Sequence, residues 1–213
     1  MLLIDKPSNY TSYDVIRELK KKYPWEKIWH SWTLDPIATW LLVIGVGRQE
    51  TRLLWDIQKQ DKEYICEMDF SIDTDTWDID YWKKYNQLDL SDEEPPDIED
   101  IKSLLNYLIP SYELPLPSFS AKKYGSKKSC EYAREWEEIV KYQKMYTHDY
   151  EILEYLFPKL TLKLYVGSGN YIRSIAYRLG QKLGLGGAVT SLRITKIWNY
   201  KIEDAYKLED IIS

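Results

Sequence analysis

From Lys159 to Val166 the chain alternates without a break: Leu160, Leu162, Leu164 and Val166 are apolar, and Lys159, Thr161, Lys163 and Tyr165 stand between them. Successive side chains of a strand point to opposite faces, so this period of two predicts an antiparallel strand packed on one side only. Lys62 to Ser71 repeats the pattern, with Tyr64, Cys66, Met68 and Phe70 on one face and Glu63, Glu67 and Asp69 mostly on the other. Any fold for this chain must therefore give these strands a sheet with one covered face.

The covering layer is legible as helices. Thr11-Ser12-Tyr13-Asp14 has the spacing of a capping box, and Val15, Ile16, Leu19 and Tyr23 follow at helical intervals, which predicts a helix over Ser12 to Tyr23 closed by Pro24. Ile98, Ile101, Leu104, Leu105 and Leu108 mark a second apolar face stopped at Pro110. Ser129 to Val140 reads as a third helix, and Ile175, Leu179 and Leu183 as a fourth, ending at Gly184. Leu2 to Ile4 and Glu151 to Phe157 are further strand candidates. Leu114 to Ala121, with Pro115 and Pro117, is extended. Strands and helices mix without a βαβ rhythm, so the expected class is α+β around a largely antiparallel sheet.

At 213 residues the chain accommodates one large domain, expected over residues 1–213, or a domain with a small insertion, with an acidic linker at about 89–100 (DLSDEEPPDIED) and a basic stretch at about 117–145. The net charge of −5 argues weakly against nucleic acid; the lysine run Lys122, Lys123, Lys127 and Lys128 reads by itself as a solvated face, although the interleaved Tyr124 leaves phosphate contact open. Two cysteines and two histidines, far apart, make no zinc or disulfide pattern, so neither a metal site nor a disulfide framework is expected. The N-terminus lacks a signal-peptide pattern and the longest apolar run, Leu41 to Val46, cannot span a bilayer, so a cytoplasmic protein is expected, and a monomer.

His30 to Trp40, HSWTLDPIATW, holds an Asp-Pro pair before an apolar run. By itself Asp35 reads as a helix N-cap with Pro36 at the first helical position. Six other segments give this one more weight: LLIDKP with TSYDV, DKEY, TDTWD, PSFSAKKYGSKK with EYAR, GNYIRSIAYRLG and TSLR. With HSWTLDPIAT and LLVIGVG, their order along the chain resembles the tRNA pseudouridine synthase B (TruB) family.

The resemblance implies isomerisation of uridine to pseudouridine in the TΨC arm of tRNA (position 55), with no cofactor and with tRNA as partner. It implies a pseudouridine synthase-like fold with an RNA-binding insertion. Asp35 resembles the catalytic aspartate, as nucleophile or base. Tyr64 resembles the aromatic that stacks on the target base and takes part in removing its C5 proton, and Arg173 the arginine that pairs with the aspartate. On the substrate side, His30, Tyr171 and Leu192 resemble groups that receive the everted nucleotide, and Lys122, Lys123, Lys127 and Lys128 the insertion that grips RNA. Lys6 and Pro7 resemble the motif that supports the active-site loop. Without that resemblance, Tyr64 reads as core, Arg173 as a surface or capping cation and His30 as a loop histidine. The alternative function is a non-catalytic tRNA-binding or folding protein with a blocked pocket.

Two departures stand out. The family usually continues into a C-terminal module of the PUA type, and none is expected before Ser213. Where the family pattern has glycine, this chain has tryptophan at Trp29, Trp32 and Trp40, and Trp55, Trp77, Trp136 and Trp198 look alike. The chain holds 9 Gly and 9 Trp, against a usual glycine content of about 7%. One reading is that UGA encodes glycine here and was translated as tryptophan; if the tryptophans are real, a weakened or inactive enzyme is expected.

Overall fold

The computed structural model describes residues 1–7, 10–32, 38–79, 85–117 and 141–211, and the backbone alone of 123–124, 127–128 and 212. Strands are β1 (Leu2–Lys6), β2 (Ile28–His30), β3 (Thr39–Val46), β4 (Lys62–Asp69), β5 (Ile72–Asp73), β6 (Asn86–Gln87), β7 (Ser111–Pro115), β8 (Lys123–Tyr124) and β9 (Lys127–Lys128). β10 (Tyr142–Leu156), β11 (Lys159–Val166), β12 (Ala188–Ile197), β13 (Tyr200–Lys201) and β14 (Tyr206–Lys207) complete them. Helices are α1 (Ser12–Lys22), α2 (Arg48–Gln58), α3 (Ile98–Tyr107), α4 (Ile172–Leu183) and α5 (Leu208–Ile212).

These elements form two compact units. Met1–Ile65, Lys163–Ser168 and Ser191–Ser213 make the first, and Cys66–Leu162 with Gly169–Thr190 the second. In the first unit β1 lies antiparallel to β3 and parallel to β14, β2 adds antiparallel to β3, β12 runs parallel to β3, and β13 folds back on β12. The sheet is therefore mixed. Leu41, Leu42, Val43 and Ile44 are all buried, as expected of a central strand covered on both faces. α1 covers part of it with Val15, Ile16 and Leu19. Its N-cap is the anticipated capping box: the Asp14 N–H donates to Thr11 Oγ1 at 3.1 Å and the Thr11 N–H to Asp14 Oδ2 at 2.8 Å.

In the second unit β10 pairs antiparallel with β7, and β5 with β6. Met68, Phe70, Ile101, Leu105, Leu160, Leu162, Ile175 and Leu179 are buried there, the faces that periodicity assigned. Gly184 caps α4 in the left-handed conformation at φ 73°. The glycines after it are packing residues: a Cβ on Gly186 would sit 2.5 Å from the Ile72 carbonyl oxygen, and one on Gly187 2.3 Å from that of Ala176.

Several elements differ from expectation: Thr39–Val46, which follows the Asp35-Pro36 pair read as a helix start, is the strand β3, since a run buried on both faces has no period to tell strand from helix, and β12 was not assigned. α2 was not foreseen; its buried face is only Thr51, Leu54 and Ile57, while Leu53 and Trp55 are exposed and blur the period. β10 begins at Tyr142 instead of Glu151; the buried positions of the added half are Met145 and the polar Thr147, too little to show as an apolar alternation along the chain. The acidic stretch 89–100 is not all linker: Asp97 caps α3 by accepting from the Glu99 N–H at 2.9 Å, and Glu99 and Asp100 fill the first turn, where the helix dipole favours them. The helix expected at Ser129–Val140 lies outside the described residues.

Candidate active site

Asp35 and Lys122 lie outside the described residues, and Lys123, Lys127 and Lys128 are described as backbone only, in the antiparallel pair β8–β9. The other expected site residues divide between the units.

The first unit holds Lys6, Pro7, His30, Tyr64 and Leu192. Lys6 ends β1 and is fully buried; its Nζ donates to the Pro7 carbonyl at 2.6 Å and to the Tyr10 carbonyl, and lies 4.2 Å from the centre of the Trp40 ring. Burial pulls its pKa down to about 8, against the attraction of Asp14. The ammonium thus links the Pro7 and Tyr10 carbonyls. His30 is buried on β2 with its ring stacked on Trp29, centroids 5.5 Å apart, and its Nδ1 has no hydrogen-bond partner among the described residues. Burial also lowers its pKa, which favours the neutral imidazole, a packing surface more than a cation.

Tyr64 and Leu192 are both buried, on the neighbouring strands β4 and β12. Burial raises the Tyr64 phenol well above its ordinary pKa, so the ring presents a neutral hydroxyl. Thr195 on β12 bonds Glu63 Oε1 at 2.7 Å, fixing the residue beside Tyr64. Ahead of it, Lys62 is buried with Nζ at 2.7 Å from the Gln60 carbonyl and 3.3 Å from that of Gln58, over the Trp32 ring at 3.9 Å, and burial lowers its pKa to about 7. Gln58 Nε2 donates to the Ser31 carbonyl at 2.5 Å and Ser12 Oγ to that of Trp32 at 2.8 Å. The backbone at Ser31 and Trp32 is therefore held from α2 and α1, with Lys62 of β4 over the Trp32 ring.

A further group escaped the sequence reading. Arg193 makes a two-pronged contact with Asp5, Nη1 to Oδ1 at 3.1 Å and Nη2 to Oδ2 at 2.8 Å, and Nη1 also reaches Thr39 Oγ1 at 3.1 Å. These residues, with Lys6, Pro7 and Tyr10, line a cleft of about 620 Å³. The signal was present: Asp5 stands in LLIDKP and Arg193 in TSLR, but a pairing between distant segments is invisible along the chain.

The second unit holds Tyr171 and Arg173. Tyr171 is the N-cap position of α4, its N–H 3.5 Å from Met145 Sδ, and its carbonyl accepts from the Ser174 N–H at 3.0 Å. Arg173, in the first turn of α4, is buried: Nη1 donates to the Thr76 carbonyl at 3.0 Å and stands 3.2 Å from Asp78 Oδ2. The Thr74–Asp78 turn that receives it is stiffened from within. Thr74 and Thr76 share a hydroxyl bond at 2.9 Å, and the Val189 N–H donates to the Trp77 carbonyl at 2.9 Å. Arg173 is thus no surface cation. The resemblance pairs it with Asp35; the carboxylate partner among the described residues is Asp78.

Among the described residues there is no group of three or more histidine, cysteine or acidic side chains placed to hold a metal, and no helix long and apolar enough to cross a membrane. Of the seven tryptophans that stand where the family pattern suggests glycine, Trp136 lies outside the described residues. Trp40 is buried with its indole N–H unpartnered among them, Trp29, Trp55 and Trp198 are exposed, and Trp77 stacks on Tyr177 at 4.2 Å.

Comparison with known proteins agrees with this architecture. A family model described as TruB family pseudouridylate synthase (N terminal domain) matches residues 20–172. The tRNA pseudouridine synthase B of Protochlamydia amoebophila (strain UWE25) is 36% identical over 204 residues, 96% of this chain and 76% of that protein. The protein of the same name from Caldicellulosiruptor saccharolyticus is 34% identical over 212 residues, 99% of this chain and 71% of that protein. Among solved structures, a Cbf5-Nop10-Gar1 complex contains a chain that superposes with a TM-score of 0.75 at 22% identity, over 99% of this chain and 53% of that one, a likeness of fold. The chain belongs to the TruB family of pseudouridylate synthases.

Proposed function

We propose that this protein converts a uridine of tRNA to pseudouridine, in the TΨC arm at position 55. The observation that carries the reading is the buried Arg173, fixed at the start of α4 by the Thr76 carbonyl and Asp78, in a chain of this family. An arginine removed from water and oriented by two acceptors suits an anionic partner, and the reaction needs one: a carboxylate, Asp35, acting at the sugar or the ring.

The target base must first leave its stack, at a cost of a few kcal/mol that a pocket recovers by stacking and hydrogen bonding. Tyr64, Leu192 and His30 of the first unit, and Tyr171 of the second, are each proposed as groups that contact the everted nucleotide. The bond from N1 to C1′ breaks, the uracil turns over, C5 bonds to C1′, and the C5 proton leaves while N1 is protonated. No electrons are gained or lost overall. The neutral Tyr64 hydroxyl stacks below the ring and helps pass on the C5 proton. Lys122, Lys123, Lys127 and Lys128 hold the phosphates, and Lys6 and Pro7 support the active-site loop. A monomer in the cytoplasm is the assembly and compartment that go with this reading; light scattering on a size-exclusion column tests the first.

Tritium release from tRNA labelled at C5 of uridine tests the reaction. Release by the wild type and none by Asp35→Asn is expected. Absence of release from a protein with glycine restored at the tryptophan positions, while it still binds tRNA, would replace this reading with the non-catalytic one.

A further inference from the structure

Five described residues have φ in the left-handed region. Three are glycines: Gly47, Gly169 and Gly184. The other two are both tryptophan, Trp77 at φ 59° and Trp198 at φ 52°. An L-residue with a side chain avoids this region because its Cβ crowds the neighbouring carbonyl, and the few that enter are mostly asparagine, aspartate and histidine, not bulky aromatics. Tryptophan makes up 9 of 213 residues, so finding it at both non-glycine positions is a coincidence that needs a cause.

Each backbone position is held by its own turn. Ile197 pairs with Tyr200 across the β12–β13 hairpin, which leaves Trp198 and Asn199 as a two-residue loop. φ is positive at the first of these and not at the second. That is the pattern of a type II′ turn, whose first central place belongs to glycine. The Trp198 N–H is further tied to the Asp61 carbonyl at 3.1 Å. At the other site the Trp77 N–H donates to the Thr74 carbonyl at 3.2 Å, so residue 77 closes a four-residue turn at the place where glycine is favoured. Its carbonyl is held by Val189, so the chain cannot relax by swinging the peptide away.

Neither side chain supplies an offsetting reason for the conformation. Trp198 is half exposed and meets Tyr200 only edge-on at 6.2 Å. Trp77 stacks on Tyr177 at 4.2 Å, but an indole can stack from an ordinary backbone as well. Both positions have the geometry of glycine and the identity of tryptophan.

We propose that residues 77 and 198 are glycine in the protein as its own ribosomes make it, the codons at these positions being decoded as glycine. The inference concerns which molecule exists in the cell, and it stands apart from the proposed reaction, since neither readout below measures catalysis.

The direct test is tandem mass spectrometry of the protein isolated from its source cells, reading the peptides that contain positions 77 and 198. Glycine masses at both positions are expected, and tryptophan at either overturns the proposal. A second test needs only recombinant protein. Trp77→Gly and Trp198→Gly are compared with Trp77→Ala and Trp198→Ala by thermal melting. Alanine removes the same ring but keeps the Cβ, so with positive φ the glycine variant melts several degrees above the alanine variant at each position. At an ordinary backbone position the order is reversed, because glycine gains more chain entropy on unfolding. Alanine melting at or above glycine at either position would remove the physical ground of the proposal.

Discussion

Replacing Asp78 by asparagine keeps the shape of the Arg173 site and removes one charge. The two side chains are 9% and 5% exposed and 3.2 Å apart, so at an effective dielectric constant of about 20 their attraction is about 5 kcal/mol. Desolvation of both ions offsets most of that, and the net worth of the pair is small. Removing one partner is another matter. The guanidinium keeps the Thr76 carbonyl but loses the carboxylate charge 3.2 Å away, and breaking a buried pair by removing one partner costs about 3–5 kcal/mol. Asp78→Asn should therefore lower the melting temperature by roughly 10 °C at this chain length. The double variant Asp78→Asn with Arg173→Met removes both charges and should recover more than half of the lost stability, while tritium release is absent because the arginine is gone. Urea titrations of the wild type, both single variants and the double variant give the coupling energy directly. Losses that simply add would refute the claim that Arg173 and Asp78 form one buried unit, as would an Asp78→Asn protein that melts like the wild type.

Tyr64→Phe keeps the ring and removes the hydroxyl; if that hydroxyl helps to pass on the C5 proton, kcat for tritium release falls by about 100-fold or more with KM little changed, as single-turnover kinetics will report. Thr11→Ala deletes the α1 cap and should cost about 1 kcal/mol in urea unfolding. Lys62 and Lys6 titrate lower in the folded chain, about 7 and about 8, than in the unfolded chain near 10.5. The unfolded state therefore binds more protons above pH 7, and stability rises from about pH 7 toward 8.5. Beyond that Cys66 opposes the rise, since burial pushes its thiol from 9.0 up to about 12 and the unfolded thiol ionises first. Lys62→Met should flatten the lower part of this profile, measured as urea midpoints at successive pH values.

What could be read along the chain was what neighbouring residues decide among themselves. The capping box at Thr11 and Asp14 needs only four residues, and β11 needs only its own alternation, so both were placed within a residue or two. The stop at Gly184 is likewise local, because a left-handed residue ends a helix whatever lies around it. α2 and the first half of β10 were not legible because each has few buried apolar side chains, Leu54 and Ile57 in one and Met145 in the other, so the apolar pattern is faint and tertiary contacts decide their form.

The candidate site divides along the same line. The motifs that mark Lys6, His30, Tyr64, Tyr171, Arg173 and Leu192 are short and stand in the sequence. That Arg173 is buried against Asp78, that Arg193 grips Asp5, and that Lys62 sits over Trp32 were decided by strands and turns brought together from distant parts of the chain. The tryptophans show the boundary most clearly. Composition alone marked the chain as glycine-poor, but only folded backbone has a φ, and only φ separates Trp77 and Trp198 from the rest, because turns closed by distant hydrogen bonds force those two positions into the region where a side chain is unwelcome.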